Sequence, residues 1–411
     1  MDLEMTKKQN DAIRASLAEL TLTVERHISA CEENAVHSSA FNAATVTKTH
    51  VKLMNATRKM KSDVYGPVNN VASHYEEFIH SGCLRALLEA GVFDKLPLDG
   101  KGMPASELAE KTNMEEALLI RMMRAVTPIY FEENSPRVYN QTANSLIFQL
   151  EDMRASYKQI YDEYAPCSYA LTPYFKENGF KVPDSIKNNP YTFAHRTNGL
   201  NMWDYLSLHP ERLRIFNLGM NRISSQMVQS YGIFPWLSEY RKMQTNDDSV
   251  LLVDIGGGQG QAIAAIKNII EDTKGRLILQ DREEVMLENP DPIPGIEKMT
   301  YDFFTPQPVK GALIYHIRRC FHDWPDADCV AILSNIANAM TSTSRLLIAE
   351  MVLQDELDAE ATWMDVTMMF FAGKERSEKQ WKQLIEAAGL RLERIYGSEG
   401  TTFSVLEAWL K

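Results

Sequence analysis

The chain has 411 residues, 45% of them hydrophobic and 24% charged, which is enough for two or three globular domains and a core that needs neither disulfides nor a structural metal. Its 43 Lys plus Arg against 55 Asp plus Glu give a formal net charge of −12, which argues against a general nucleic-acid or anionic-membrane binder, because phosphate affinity comes from Lys and Arg. Cys31, Cys83, Cys167, Cys320 and Cys329 are widely spaced, with no C-x-x-C pair, and no stretch is apolar enough for a secretory leader or a membrane span; the expected location is cytoplasmic. Residues 1–65 are polar, with Leu17, Leu20, Leu22 and Val24 as one partial helical stripe and Val51, Leu53 and Met54 as another. They read either as a mobile arm or as a helical arm that packs on a partner subunit, and Gly66-Pro67 breaks the pattern. Residues 66–150 read as a winged helix: a helix over His74–Ala90 closed by Gly91, a second with Pro104 in its first turn, a third over Glu115–Val126, and short strands at Tyr130-Phe131 and Val138-Tyr139-Asn140. Residues 151–245 read as a mainly helical connecting region, rich in Tyr and Met, whose aromatics (Trp203 among them) form core or line a substrate pocket. Residues 246–411 alternate strands, at Ser249–Ile255, Arg276–Gln280, Ala312–His316 and Ser344–Ala349, with helical stretches. That rhythm predicts an α/β domain: a doubly wound parallel sheet with helices on both faces.

Leu251–Ile255 runs into Gly256-Gly257-Gly258-Gln259-Gly260. A buried strand that ends in a Gly-rich turn and opens a helix lets a ligand approach the backbone closely. The spacing is not the dinucleotide fingerprint, which would need glycine where Gln261 stands, and no Lys-Ser or Lys-Thr follows to make a phosphate loop. Asp281 ends the next predicted strand, where a carboxylate can accept from both hydroxyls of a ribose. The turn and the acid together point to a nucleoside ligand; the turn alone is equally a structural bend. Arg318-Arg319-Cys320-Phe321-His322-Asp323-Trp324 follows the predicted strand at 312–316, on the same edge. A histidine there is either a general base or a structural residue. Glu350 ends the run Leu346–Ala349, and Glu375 lies in Gly373-Lys374-Glu375-Arg376-Ser377. Each is a surface charge or a carboxylate that orients the histidine and stabilises its protonated form. Met364, Met368, Met369, Phe370 and Phe371 form either an adaptable pocket wall or core. No metal-ligand spacing is found.

Val253–Gly260, His322-Asp323-Trp324, Ala349-Glu350 and Gly373–Ser377, with Phe216-Asn217-Leu218-Gly219-Met220 before them, resemble the S-adenosylmethionine-dependent O-methyltransferases of the plant caffeate type and their fungal secondary-metabolite relatives. The resemblance runs over most of 68–411 and implies a Rossmann-like class I methyltransferase domain behind a winged-helix dimerisation domain. It implies His322 as the base that takes a substrate hydroxyl proton, with Glu350 and Glu375 flanking it. It implies Asp281 at the cofactor ribose, Asp302 and Phe303 along the adenine, and Ser224 with Gly256, Gly257 and Gly258 by the methionyl part. Arg318 stands where the family usually has lysine. Trp203, Met220, Asp323 and Met368 are the candidate substrate-lining residues. Ile223 replaces a histidine common in plant members, which argues against a plant-like phenylpropanoid substrate. The partners implied are a small-molecule substrate and a second copy of the chain, with no nucleic acid, membrane or metal. Two other functions stay open: a dehydratase or pericyclase that keeps the cofactor as a fixed charge, and a winged-helix DNA-binding regulator. The helix that would read DNA in that case, Ala105–Lys111, is acidic, which disfavours the latter.

Overall fold

The computed structural model describes residues 3–36, 40–226, 233–270, 273–288, 290–355, 359–397 and 403–411. They form two compact units, Met1–Ser38 with Thr49–Asp162 and Ser39–Lys48 with Glu163–Lys411.

The first unit begins with long helices, not with a mobile arm. Helix α1 spans Leu3–Val36 and α2 spans Ala40–Glu89. Their apolar stripes are too thin to mark a core-facing helix, yet polar contacts zip them antiparallel. Ser16 bonds Asp63, Lys59 Nζ donates to Ser16 Oγ at 2.9 Å, and His27 pairs with Thr49 at 3.1 Å. Gly66 does not end α2; it kinks it, with φ 65° and ψ 176°. Gly91, at φ 76°, takes the left-handed conformation after α2 and leads into helix α3 (Val92–Lys95). Strand β1 (Met103–Pro104) precedes helix α4 (Ala105–Thr112), so Pro104 stands just before the helix rather than inside it. Helix α5 (Glu116–Ala125) is followed by β2 (Phe131–Ser135) and β3 (Val138–Gln141), in sheet order β1-β3-β2. Leu87, Phe93, Leu108, Leu119, Met123 and Phe131 are wholly buried and form the core of this winged-helix unit.

The second unit opens with helices before its sheet. Glu163 anchors them: Arg212 Nε and one terminal nitrogen each donate to its carboxylate at 2.7 Å, and Tyr191 Oη donates to it at 2.7 Å. The sheet contains β4 (Val250–Ile255), β5 (Arg276–Asp281), β6 (Glu297–Thr300), β7 (Ile314–Arg318), β8 (Arg345–Leu353), β10 (Leu390–Gly397) and β11 (Phe403–Leu410), with the two-residue strand β9 (Arg376–Ser377) beside β8. The order is β10-β11-β8-β7-β4-β5-β6. The sheet is mixed rather than wholly parallel: β11 runs antiparallel to β8 and to β10. From β4 the chain builds outward through β5 and β6, then returns to place β7 on the other side. The carboxyl ends of β4 and β7 therefore flank a topological switch point, where open α/β sheets bind ligands. The pairing of Asp254 with His316 and of Arg318 with Ala349 brings the ends of β4 and β7 level with the middle of β8.

Candidate active site

The Gly-rich turn leaves β4 at that switch point. Gly256, Gly258 and Gly260 have φ of 66°, 58° and 87°, a region that disfavours side chains. A Cβ on Gly257 would lie 2.4 Å from Leu279 Cδ1 and 2.6 Å from Asp254 Oδ2, so the turn rests directly on β4 and β5. A Cβ on Gly258 would meet nothing within 4 Å; the space beside the turn is open. Asp281 ends β5 and faces this turn. Its Oδ2 accepts from the Gly258 N–H and its Oδ1 from the Arg282 N–H, both at 2.7 Å. Burial pushes its carboxyl up to about 6, against the pull of those two donors. Each carboxylate oxygen retains a lone pair for a further donor. A Cβ on Gly256 would lie 3.8 Å from Phe303, whose ring packs edge-on against Trp324 at 5.7 Å. Trp324 in turn stacks on Trp203 at 6.3 Å. An open cradle, a strand-end acid and an aromatic wall fit a nucleoside with a charged tail.

The other sequence-derived candidates on this side are more scattered. Asp302 is exposed and its Oδ1 accepts from the Phe304 N–H at 3.0 Å. Arg318 is the last residue of β7 instead of lying past the strand, with its guanidinium 5.7 Å from the Phe403 ring centre. Met220 is half-buried on the helix Pro210–Gln226. Ser224 and Ile223 lie in the part of that helix whose side chains fall outside the described residues. Met364, Met368, Phe370 and Phe371 are buried within the hydrophobic core, which supports the packing alternative for this run.

The predicted histidine and its two carboxylates meet one loop further along. After β7 the chain makes a single 3-10 turn, Phe321–Asp323, that carries His322. His322 is 3% exposed, and its Nδ1 lies 2.8 Å from Glu375 Oε1. Glu350 sits within β8 rather than at its end, and its nearer oxygen is 3.7 Å from the same nitrogen. Glu350 Oε1 instead accepts from the backbone N–H groups of Cys320 and Phe321, both at 2.9 Å. It anchors the loop and contributes charge, whereas Glu375 holds the ring. Asp323 Oδ1 stands 3.7 Å from His322 Nε2. Burial alone would lower the histidine's affinity for its proton; Glu350, Glu375 and Asp323 outweigh it and push the imidazolium up to about 9. Burial and the neighbouring carboxylates push Asp323 up to about 7, against the pull of His322. Burial also raises the Glu350 carboxyl.

The sequence suggested no metal-ligand set, but donor atoms of His322, Glu350 and Glu375 lie within 4.8 Å of one another. Two of those contacts are already committed, Glu350 Oε1 to backbone amides and His322 Nδ1 to Glu375. Several contributors escaped the sequence reading. Asp365 Oδ1 accepts from the Glu375 N–H at 2.9 Å and so fixes the carboxylate that holds the ring. Asp254 Oδ1 lies 2.7 Å from His316 Nδ1, a buried pair beneath the Gly-rich turn. Its signal was present, as ionisable residues interrupting two apolar strand runs. Gly373 is the closest contact of all: a Cβ there would lie 2.0 Å from the His322 carbonyl oxygen.

This strand order, the Gly-rich turn at its switch point and the acid closing the next strand define a class I methyltransferase, whose cofactor is S-adenosylmethionine. Residues 181–391 match the model of the O-methyltransferase domain, and residues 72–149 match that of the O-methyltransferase dimerisation domain. The chain is 38% identical to O-methyltransferase afvC of Aspergillus flavus over 404 residues, 96% of this chain and 98% of that protein. It is similar to the crystal structure of OxaC in complex with SAH and oxaline, with TM-score 0.86 and 29% identity, covering 98% of this chain and 100% of that one. It shares its fold with a structure described as a pericyclic reaction enzyme, at TM-score 0.80 and 23% identity over 89% of this chain and 95% of that one. The chain belongs to the O-methyltransferase family, as a S-adenosylmethionine-dependent enzyme of the fungal secondary-metabolite kind. Among the described residues, no helix is long and apolar enough to cross a membrane.

Proposed function

We propose that the enzyme methylates a hydroxyl of an aromatic or polyketide-like secondary metabolite, with His322 as the general base. The observation that carries this reading is the 2.8 Å contact between His322 Nδ1 and Glu375 Oε1. It commits Nδ1 as a donor to the carboxylate and leaves Nε2, in the neutral ring, with the lone pair that takes a proton. When bound, S-adenosylmethionine supplies an electrophilic methyl group on a sulfonium. Asp281 would hold the ribose, Phe303 would lie along the adenine, and the turn at Gly256–Gly258 would border the methionyl part. His322 takes the proton as the substrate oxygen attacks, and Glu375 and Glu350 stabilise the imidazolium that forms. A base whose conjugate acid titrates near 9 is well matched to a phenol, whose pKa is about 10. Trp203, Met220 and Asp323 are assigned to the substrate side. The winged-helix unit joins two copies of the chain, and the free cysteines fit a cytoplasmic enzyme.

The test is incubation with methyl-labelled S-adenosylmethionine and a panel of phenolic and polyketide acceptors. Label in the product supports the reading. A changed product without label, and with the cofactor intact, would replace it with dehydration or ring closure on the same fold. The pH dependence carries a sharper prediction. Because His322 must be neutral to act, kcat/KM is expected to rise with pH and level off above about 9. In Glu375→Gln, measured with the same acceptor, the inflection should fall toward the ordinary histidine value of about 6.5, because a neighbouring negative charge is gone. An inflection that does not move removes Glu375 from this role. For the cofactor, Asp281→Ala is expected to weaken binding about 10–100-fold by calorimetry, since hydrogen bonds to a charged group are worth roughly 1.5–3 kcal/mol. Unchanged affinity would place the ribose elsewhere.

A further inference from the structure

We propose that Arg376 is the positioning residue of the base: its guanidinium fixes the backbone of the Phe321–Asp323 turn and thereby places His322 against Glu375. The inference rests on His322 being the base. Arg376 is wholly buried. One terminal nitrogen donates to the Phe321 carbonyl at 3.0 Å and the other to the Trp324 carbonyl at 2.9 Å, the two residues that bracket His322 and Asp323. The guanidinium also donates to Asp326 Oδ1, from Nε at 3.0 Å and from a terminal nitrogen at 2.8 Å, and lies 5.3 Å from the ring centre of Trp381. Its acidic partner Asp326 has a side chain 54% exposed.

Burying a cation is costly, and an apolar side chain of similar size would fill the same space at lower cost. A planar fork does something that such a side chain cannot. It reads two carbonyls at once and fixes the distance between them. Local sequence explains how the grip is built. Lys374, Glu375 and Arg376 are consecutive, and in extended backbone neighbouring side chains point to opposite sides. The Lys374 N–H donates to the His322 carbonyl at 2.9 Å, Glu375 takes the ring, and Arg376 reaches the backbone of the turn. One short segment thus holds His322 by its carbonyl, its imidazole and its flanking residues.

The test compares Arg376→Lys, Arg376→Gln and Arg376→Ala with His322→Ala. The Arg376 variants are expected to lose about 10–100-fold in kcat, as displacement of a reacting group by an ångström does, with KM for S-adenosylmethionine unchanged. Lysine should not rescue, because it keeps the charge and lacks the fork. The pH inflection of the variants should fall toward that of an ordinary histidine, since the ring leaves its carboxylates. Added guanidinium should restore several-fold activity to Arg376→Ala and none to His322→Ala. Loss of activity only in proportion to the folded fraction, with the parental inflection, would overturn the proposal, as would parental kcat. Should the Arg376 variants fail to fold, Asp326→Asn loosens the same grip from an exposed position. It should shift the inflection in the same direction, and an unmoved inflection there counts against the proposal. Full activity in His322→Ala would overturn the base assignment itself, whatever the Arg376 variants do.

Discussion

Replacing His322 with alanine is expected to lower the rate of methyl transfer by about 10²–10⁴-fold, the usual contribution of a positioned general base, while cofactor affinity is retained. The separation follows from the geometry. His322 bonds Glu375 beyond β7, whereas Asp281 and the Gly-rich turn lie at the ends of β5 and β4. Removing the imidazole leaves Glu350 and Glu375 buried without the ring that lies between them. His322→Gln keeps more of the volume and should be equally slow. The deficit should also narrow as pH approaches about 10, where a phenolic acceptor ionises without help. Rates per folded molecule across that range are the measurement. A variant as fast as the parent at neutral pH would show that the acceptor needs no base.

Gly373→Ala should be nearly as damaging, although glycine carries no chemistry. The added methyl would sit 2.0 Å from the His322 carbonyl oxygen and 2.8 Å from the Asp323 carbonyl carbon. Both are backbone atoms, so no side chain can swing away. Either the 322 turn or the 373 segment must retreat, and the 2.9 Å bond from the Lys374 N–H to the His322 carbonyl is lost with it. A retreat of about 1 Å at a reacting group is worth roughly 10²-fold in rate. Overpacking of this kind adds about 1–3 kcal/mol of destabilisation. The expected result is a lowered melting temperature together with a kcat loss that persists well below it. Parental kcat in a folded variant would mean that the two segments can part without moving the base.

How much of this was legible in the sequence depends on the distance over which each feature is encoded. The Gly-rich turn and Asp281 are local signals: a strand, its breaker and the end of the next strand follow within one βαβ unit. His322, Glu350 and Glu375 were identifiable as residues through motifs resembling a family, but not as a geometry. Glu350 lies inside β8 because β8 continues to Leu353 alongside β9 and β11, pairings that no local pattern announces. For the same reason the antiparallel β10 and β11 were missed. The Gly373–His322 approach and the Asp254–His316 pair join residues far apart in the chain, and only the folded sheet brings them together. The N-terminal helices α1 and α2 were ambiguous because polar contacts such as Ser16 with Asp63 and with Lys59, not a broad apolar stripe, hold them together.

The placement of Glu350 on β8, His322 just after β7 and Glu375 just before β9 has an evolutionary consequence. All three residues hang from the strands of the sheet or the turns beside them. The helices between Glu163 and Tyr240, which carry Trp203 and Met220, contribute none of them. On the proposed base assignment, substitutions on those helices could reshape the acceptor side while the groups around His322 stay in place.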